Sequence, residues 1–189
     1  MTESANEIKI PSFETQRLLI RPLTREHVGF LFDHYSQPEV SRFALISFDS
    51  LEDAYDFYEG WCNPGDSTRF RLIIVLKETH ELIGTICYVN WSRNNRSAEI
   101  GYSLSPDYWG RGYMVEALQP LIQFGFEGMN LNRLEATTNI ENNQSQRLLQ
   151  RLGFKKEGVL RQKYYFNGRF SDEMIFSLLR DEWMNFKKC

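Results

Sequence analysis

Apolar residues recur along this chain with two periods, and the switches between them fall near proline, glycine and asparagine. Arg17-Leu-Leu-Ile-Arg-Pro22 reads as a first strand, ended by a proline that cannot donate to a ladder. Thr24 is placed to cap a helix running to about Ser36, with Val28, Leu31, Phe32 and Tyr35 on one face. Ser50 begins another helix, in which Leu51, Ala54, Tyr55, Tyr58 and Trp61 repeat at helical spacing. Core packing is the expected use of that aromatic stripe. Arg69 to Leu76 and Leu82 to Trp91 are β-rich runs joined by the polar Lys77 to Glu81, which predicts a hairpin. A polar turn, Ser92 to Arg96, leads into Ala98-Glu-Ile-Gly-Tyr-Ser-Leu104. There Ile100, Tyr102 and Leu104 alternate with Glu99, Gly101 and Ser103, giving the strand one apolar and one more polar face.

Helical spacing returns with Met114, Ala117, Leu118, Leu121, Ile122 and Gly125. Pro120 lies inside that pattern and should kink or strain the helix, since it removes a backbone donor. Arg133 to Thr138 reads as a strand and Ser145 to Leu152 as a short helix stopped by Gly153. Two strand-like runs flank Asn167-Gly168, a dipeptide suited to a tight hairpin, and Asp181 to Lys187 suits a closing helical turn. The alternation predicts an α/β (α+β) architecture around a mixed sheet.

Composition narrows the function classes. A chain of 189 residues suits one domain and needs no disulfide or metal staple. The balance of 22 Lys plus Arg against 25 Asp plus Glu gives a formal charge of −3. It provides no general attraction to nucleic acid or anionic membrane, so neither is expected as a partner. The longest apolar run, Leu72 to Leu76, falls far short of the ~20 residues that span a bilayer. Met1 to Glu7 is polar and acidic, unlike a secretion signal, which predicts a cytoplasmic location. Cys62, Cys87 and Cys189 form no framework; Cys87, in an apolar run, reads as a buried and inert thiol. His27, His34 and His80 show no ligand pattern, so no metal is expected.

Candidate chemistry begins at Asp107-Tyr-Trp-Gly-Arg-Gly-Tyr-Met114, a strand-to-helix connection. Gly110 and Gly112 allow the backbone to bend and approach a ligand, the following helix offers unpaired N–H groups, and Arg111 adds a positive charge. Taken alone, G-x-G before a helix fits a plain turn as well as a phosphate site. The segment lacks the Lys-Ser/Thr ending of a P-loop and the third glycine of a dinucleotide fingerprint. That argues against an NTPase or a Rossmann oxidoreductase.

The order of several segments adds more. Glu14-Thr-Gln-Arg-Leu-Leu-Ile-Arg-Pro-Leu23, Ala98-Glu-Ile-Gly-Tyr102, Tyr108-Trp-Gly-Arg-Gly-Tyr113, Asn142-x-x-Ser145 and Leu152-Gly-Phe154 together resemble the GNAT superfamily of N-acetyltransferases. Within it they look most like the RimJ/RimL branch, the ribosomal-protein N-terminal acetyltransferases. The resemblance spans roughly residues 13–183 of a single domain, 1–189. It implies a twisted, mostly antiparallel sheet of about seven strands, splayed near its centre to admit acetyl-CoA. It also implies that Gly110, Arg111, Gly112, Tyr113, Met114 and Val115 hold the pyrophosphate, and that Tyr102, Ser103 and Leu104 pair with pantetheine through their backbone. Asn142 matches an asparagine that contacts the pantetheine arm. Ser145 matches a serine proposed to hydrogen-bond or protonate the departing sulfur.

This chain departs from the general pattern at Trp109, which is usual for the branch, and at Met114. Leu149 stands where many such enzymes carry an acidic tyrosine, and Tyr164 where some carry a glutamate base. Forming an amide from a thioester needs a neutral amine and a stabilised oxyanion, for which backbone N–H groups near Leu104 are candidates. Aligning two bound substrates supplies much of the acceleration, and no covalent nucleophile set can be assembled from this sequence. Direct transfer is therefore expected, and the resemblance implies a primary amine, first of all the α-amine of a protein or peptide, as acceptor. Glu99 is the candidate base, through water; pairing with a neighbouring arginine is its equally weighted structural use. Alternatives are a GNAT enzyme acting on a polyamine, amino sugar or antibiotic, and a CoA-binding regulatory protein. Phe43, Ile46 and Phe48, within Gln37 to Asp49, either line the acceptor wall or pack in the core.

Overall fold

A computed structural model describes residues 10–63 and 66–186; Cys189 and the end of the expected closing helix, Lys187, lie outside them. Among the described residues eight strands form one sheet in the order β1-β2-β3-β4-β5-β6-β8-β7. They are β1 (Phe13–Glu14), β2 (Leu18–Pro22), β3 (Phe70–Leu76), β4 (Leu82–Ser92), β5 (Ser97–Leu104), β6 (Arg133–Asn139), β7 (Lys155–Phe166) and β8 (Arg169–Leu179). Every pairing is antiparallel except β5 with β6. The expectation of about seven strands misses the two-residue β1, too short to show a period of its own. At the last hairpin Asn167 and Gly168 take φ of 49° and 79°. Positive φ at both central residues matches the twist of the strands, and these two residue types tolerate it best.

Among the described residues six α-helices cover the faces: α1 (Val28–Tyr35), α2 (Pro38–Ala44), α3 (Leu51–Trp61), α4 (Tyr113–Gln123), α5 (Asn143–Arg151) and α6 (Arg180–Phe186). The helix expected from Thr24 opens as a 3-10 turn, Arg25–His27, because His27 Nδ1 accepts from the Thr24 N–H at 3.0 Å and tightens the entry. Ser50 caps α3 as expected: its Oγ accepts from Asp53 N at 3.2 Å, and the Asp53 carboxylate accepts from Ser50 N at 2.8 Å. The short α2 was not visible as a period. It begins at Pro38, whose missing N–H costs nothing at a helix start.

Two cores sandwich the sheet. Leu72, Ile86, Ile100, Ala117, Leu121 and Phe176 belong to the core beneath α4 and α5; Leu31, Tyr35, Ala54, Ile73 and Val75 belong to the one beneath α1 and α3. All of β3 is buried, since its alternate residues feed opposite cores. Leu121 is fully buried, and truncating such a leucine to alanine costs about 2–5 kcal/mol. Pro120 does not break α4, which runs to Gln123 and then widens into a π turn, Phe124–Gly128. Tyr88 Oη donates to the Leu121 carbonyl at 2.7 Å there. A Cβ on Gly125 would collide with that hydroxyl, so glycine is required where the helix passes over β4.

Candidate active site

The parallel ladder between β5 and β6 ends at Glu99 paired with Glu135. Beyond it, Ile100 to Leu104 have no partner on the β6 side, and the sheet opens. Ser105 N donates back to Ile83 at 2.8 Å, so by strand alternation the Leu104 N–H faces the opening. The Leu104 carbonyl is taken by the Trp109 indole N–H at 2.7 Å. A cavity of about 680 Å³ fills the gap and continues to both faces of the sheet.

On the α4 side the opening meets the glycine loop. Gly110 and Gly112 have φ of 73° and 80°, a region that side-chain-bearing residues rarely enter, and Gly112 is the N-cap of α4. Arg17 braces the loop from the β1–β2 turn. Its Nη1 donates to the Arg111 carbonyl at 3.1 Å, its Nε to Glu116 at 2.7 Å, and its guanidinium lies 4.3 Å from the Tyr113 ring centre. Met114 and Tyr113 are buried and pack in the core, and both also border the main cavity. Arg111 lines a second cavity of about 660 Å³ that shares Gly110, Gly112, Val115 and Arg151 with the first. Arg147 and Arg151, one helical turn apart on α5, also border the main cavity. Sequence reasoning missed both, although their spacing after Asn142 carried the signal. Exposed N–H groups, an α4 N-terminus and three arginines suit a pyrophosphate, and a narrow gap between strands suits an extended arm.

Across the gap stands α5. Asn142 caps it, its Oδ1 accepting from Ser145 N at 3.0 Å, so the helix begins at Asn143 rather than at Ser145. The Asn142 amide nitrogen makes no hydrogen bond among the described residues and remains a free donor beside the cavity. Ser145 Oγ lies 2.7 Å from Tyr102 Oη. Burial pushes the Tyr102 phenol well above its ordinary value, against the opposing effect of the Ser145 bond, so it stays protonated. Tyr102 was expected to pair through its backbone; this hydroxyl pair joins residues far apart in sequence and could not be read from spacing. Leu149 is fully buried in the core, away from any acid role.

The opposite face gathers different chemistry. Glu99 accepts from Thr137 Oγ1 at 2.8 Å and from Asn90 Nδ2 at 3.1 Å; its partners are a hydroxyl and an amide, not the arginine of its structural alternative. Glu173 also lines the cavity and is only 3% exposed, with Asn139 Nδ2 and Ser171 Oγ donating at 3.4 and 3.3 Å. Burial raises its carboxyl above the usual range, outweighing those two bonds, and the charge of Glu99 adds to the rise. Burial likewise raises Tyr164, which borders the same space. Ser103 points to this face, where His34 Nε2 and Nδ1 bridge Ser103 Oγ (2.6 Å) and Ser105 Oγ (3.0 Å). Burial, helped by the Arg71 charge, pushes His34 down to about 4, so the bridge is a neutral imidazole. Phe43 and Ile46 line the cavity wall, whereas Phe48 packs in the core beneath α1 and α3.

These features suit an extended, phosphate-bearing ligand on one face of the sheet, and the same cavity is lined by acidic residues on the other. The acetyltransferase (GNAT) domain family matches residues 17–155. The uncharacterized N-acetyltransferase p20 of Bacillus licheniformis is 39% identical over 173 residues, 89% of this chain and 96% of the relative. Spermidine N(1)-acetyltransferase of Escherichia coli (strain K12) is 24% identical, over 93% of this chain and 91% of the relative. The solved structure of ribosomal-protein-S5-alanine acetyltransferase from Vibrio fischeri matches with a TM-score of 0.78 at 26% identity, covering 92% of this chain and 99% of that one. The chain belongs to the GNAT acetyltransferase family, and it is an acyltransferase of the N-acetyltransferase type. Acetyltransferases of this fold use acetyl-CoA. No helix among the described residues is long and apolar enough to cross a membrane.

Proposed function

We propose that this protein is a cytoplasmic N-acetyltransferase that moves the acetyl group of acetyl-CoA directly onto a primary amine, preferring the α-amine of a protein or peptide. The observation that carries this reading is the opening of the sheet after Glu99. It joins the glycine loop and Asn142 on one side to Glu99 and Glu173 on the other. Acetyl-CoA supplies an acyl group activated as a thioester. The N–H groups from Gly110 to Val115 and the charge of Arg111 hold its pyrophosphate. Backbone groups of Tyr102 to Leu104 and the free amide of Asn142 position its pantetheine arm. The Leu104 N–H receives the charge that develops on the thioester oxygen.

The acceptor enters from the α2 side. Glu99, through water, takes the ammonium proton, and Glu173 holds a second carboxylate at the same face. Ser145 delivers a hydrogen bond or proton to the departing sulfur, and Tyr102 donates to Ser145 so that the serine hydrogen points away from it. The α-amine preference draws support from the Vibrio fischeri likeness. Three carboxylates on the cavity wall, Glu39, Glu99 and Glu173, favour a second reading, a polyamine acceptor like that named for the Escherichia coli relative.

A panel of amino-terminal peptides, amino-terminally blocked controls, polyamines and amino sugars, incubated with labelled acetyl-CoA, tests the reading. Label on the first residue of peptides, with blocked controls spared, is the expected result. Turnover confined to polyamines or amino sugars would replace the α-amine by the second reading. Tight cofactor binding without turnover of any amine would favour a regulatory protein.

A further inference from the structure

Arg71 presents an anomaly that the reaction above does not use. It lies on β3, on the face that carries the acceptor pocket, and it borders the main cavity while being only 7% exposed. Both of its hydrogen bonds leave from Nη1, to Tyr35 Oη at 2.8 Å and Thr85 Oγ1 at 2.7 Å. The guanidinium is otherwise flanked by the Trp61 ring at 4.1 Å and the Phe57 ring at 5.1 Å. Every one of these neighbours is neutral. Among the described residues no carboxylate lies within ion-pair distance of it, and its Nε is buried with no partner at all.

An isolated charge held away from water is strongly disfavoured, and arginine cannot shed its proton to escape that cost. Hydroxyl bonds and ring faces recover part of it; a counter-charge is still missing. The unused edge of the guanidinium, Nε with Nη2, is the two-pronged fork that matches a carboxylate. The floor between Arg71 and the acidic side of the pocket is low. Arg71 pairs with Cys87 across the ladder, and Cys87 with Gly101, where an added Cβ would press on the Cys87 sulfur. Glu99 stands beyond, paired with Val89 on the same two strands. One pocket thus carries a cation at one end and carboxylates at the other.

We propose that Arg71 receives a carboxylate carried by the acetyl acceptor, so that the acceptor is a primary amine bearing an acidic group and not a polyamine. This rests on the reading that the pocket takes an amine, and it deepens that reading by naming the substrate class. The carboxylate comes either from a free α-amino acid or from an acidic side chain next to a peptide's first residue. In an acidic peptide the ammonium end meets Glu99 and Glu173 while the side-chain carboxylate meets the free fork; in a free α-amino acid, whose two charges share one carbon, the carboxylate takes the fork and water relays the ammonium proton toward Glu99.

The test uses the intact protein, acetyl-CoA and matched acceptors: α-amino acids against their amides, and peptides with aspartate second against the same peptides with asparagine. The carboxylate member of one pair should have a kcat/KM at least about tenfold higher, the value of a charged hydrogen bond; the pair that shows it identifies the source. Arg71→Met should bring that ratio near unity and leave coenzyme A affinity unchanged. The variant should fold, because Tyr35 Oη and Thr85 Oγ1 lie 3.0 Å apart and satisfy each other. Its Tm should equal or exceed that of the parent, since a buried charge without a counter-ion has been removed. Arg71→Lys, which keeps the charge and loses the fork, should retain an intermediate ratio.

A binding readout separates this proposal from the amine reading. The Nε–H resonance of Arg71 in protein labelled with nitrogen-15 arginine, assigned by its loss in Arg71→Lys, should move on adding the amino acids or acidic peptides. It should not move with their amides. Equal kcat/KM within both pairs, or a preference that survives Arg71→Met, overturns the proposal even if amines are acetylated. A carboxylate-dependent shift without turnover of any amine leaves the anion site standing and removes the amine reading. No shift and no turnover overturns both.

Discussion

The two faces of the β5–β6 opening are built in opposite ways. On the proposed cofactor face the chemistry is local: Gly110 to Val115 and Asn142 to Ser145 are short, contiguous segments, the first offering backbone donors and the second the side chains of its own helix start. On the acceptor face it is assembled from β3, β5, β6 and β8, and it depends on side chains that are buried, Arg71 and Glu173, or half-buried, Glu99 and Thr137. Local backbone sites leave motifs in a sequence and tolerate change around them. Assembled pockets leave none, and burial there raises the carboxyl of Glu173. A donor common to many enzymes can be held by the first kind of site, while the choice of acceptor falls to the second.

That contrast can be broken by substitution. The largest effect is expected for Ser145→Ala, which should lower kcat by about 100-fold with little change in acetyl-CoA affinity, because the contact strengthens as charge develops on sulfur. Presteady-state kinetics with chemistry limiting would check this, and a normal kcat there would remove Ser145 from the reaction. Gly112→Val should weaken coenzyme A binding by about tenfold or more in calorimetry, with the fold intact. Its φ of 80° disfavours a β-branched residue, and the nearest atom to an added Cβ, an Arg17 nitrogen, is 3.6 Å away. Unchanged affinity in a folded variant would separate the loop from the pyrophosphate.

Titration distinguishes the acceptor face more finely. His34 falls from an ordinary 6.5 to about 4 in the folded protein, so its contribution to stability is complete above pH 6.5 and is lost as pH drops through about 4. The shift corresponds to about 3 kcal/mol, which chemical denaturation across that range would reveal. His34→Asn should flatten the slope in that window. An unchanged slope would mean that the imidazole is not buried as a neutral bridge. Glu173 is raised, so the sign reverses: its stabilising contribution is present below pH 4.5 and is lost as pH rises through the folded value. Glu173→Gln should therefore be more stable than the parent at neutral pH and less active. Loss of stability there would argue for a structural ion. The smallest effect is expected at Arg42 and Glu141, an exposed pair 2.6 Å apart that links α2 to the start of α5. Arg42→Ala should change stability by less than about 1 kcal/mol in thermal unfolding.

How much of this was legible follows the same division. The apolar face of α4, the hairpin at Asn167-Gly168 and the glycine loop were readable because each depends on residues close in sequence. Pro120 was expected to kink or strain its helix; α4 continues through it to Gln123 and passes into a π turn, and Tyr88 from another strand donates to the Leu121 carbonyl there. Nothing local announces α2, whose helical signal is one proline start over a single pair of turns. Glu99 was found from its strand, but Glu173 was not. Its role depends on β8 lying beside β6, an order that strand periodicity does not encode. Arg71 was hidden for the same reason: inside an apolar run it reads as a strand residue, and only the structure exposes its missing counter-charge.

The central claim, that acetyl passes across the opening straight from thioester to amine, is tested most directly by single-turnover labelling. The protein is mixed with labelled acetyl-CoA in the absence of acceptor, and a reactive peptide or amine is then added. Intact-mass analysis should find no label on the protein before the addition. Afterwards label should appear only on the amine, with one coenzyme A thiol released per acetyl transferred. Label that builds up on the protein first and then chases into the amine would contradict the account.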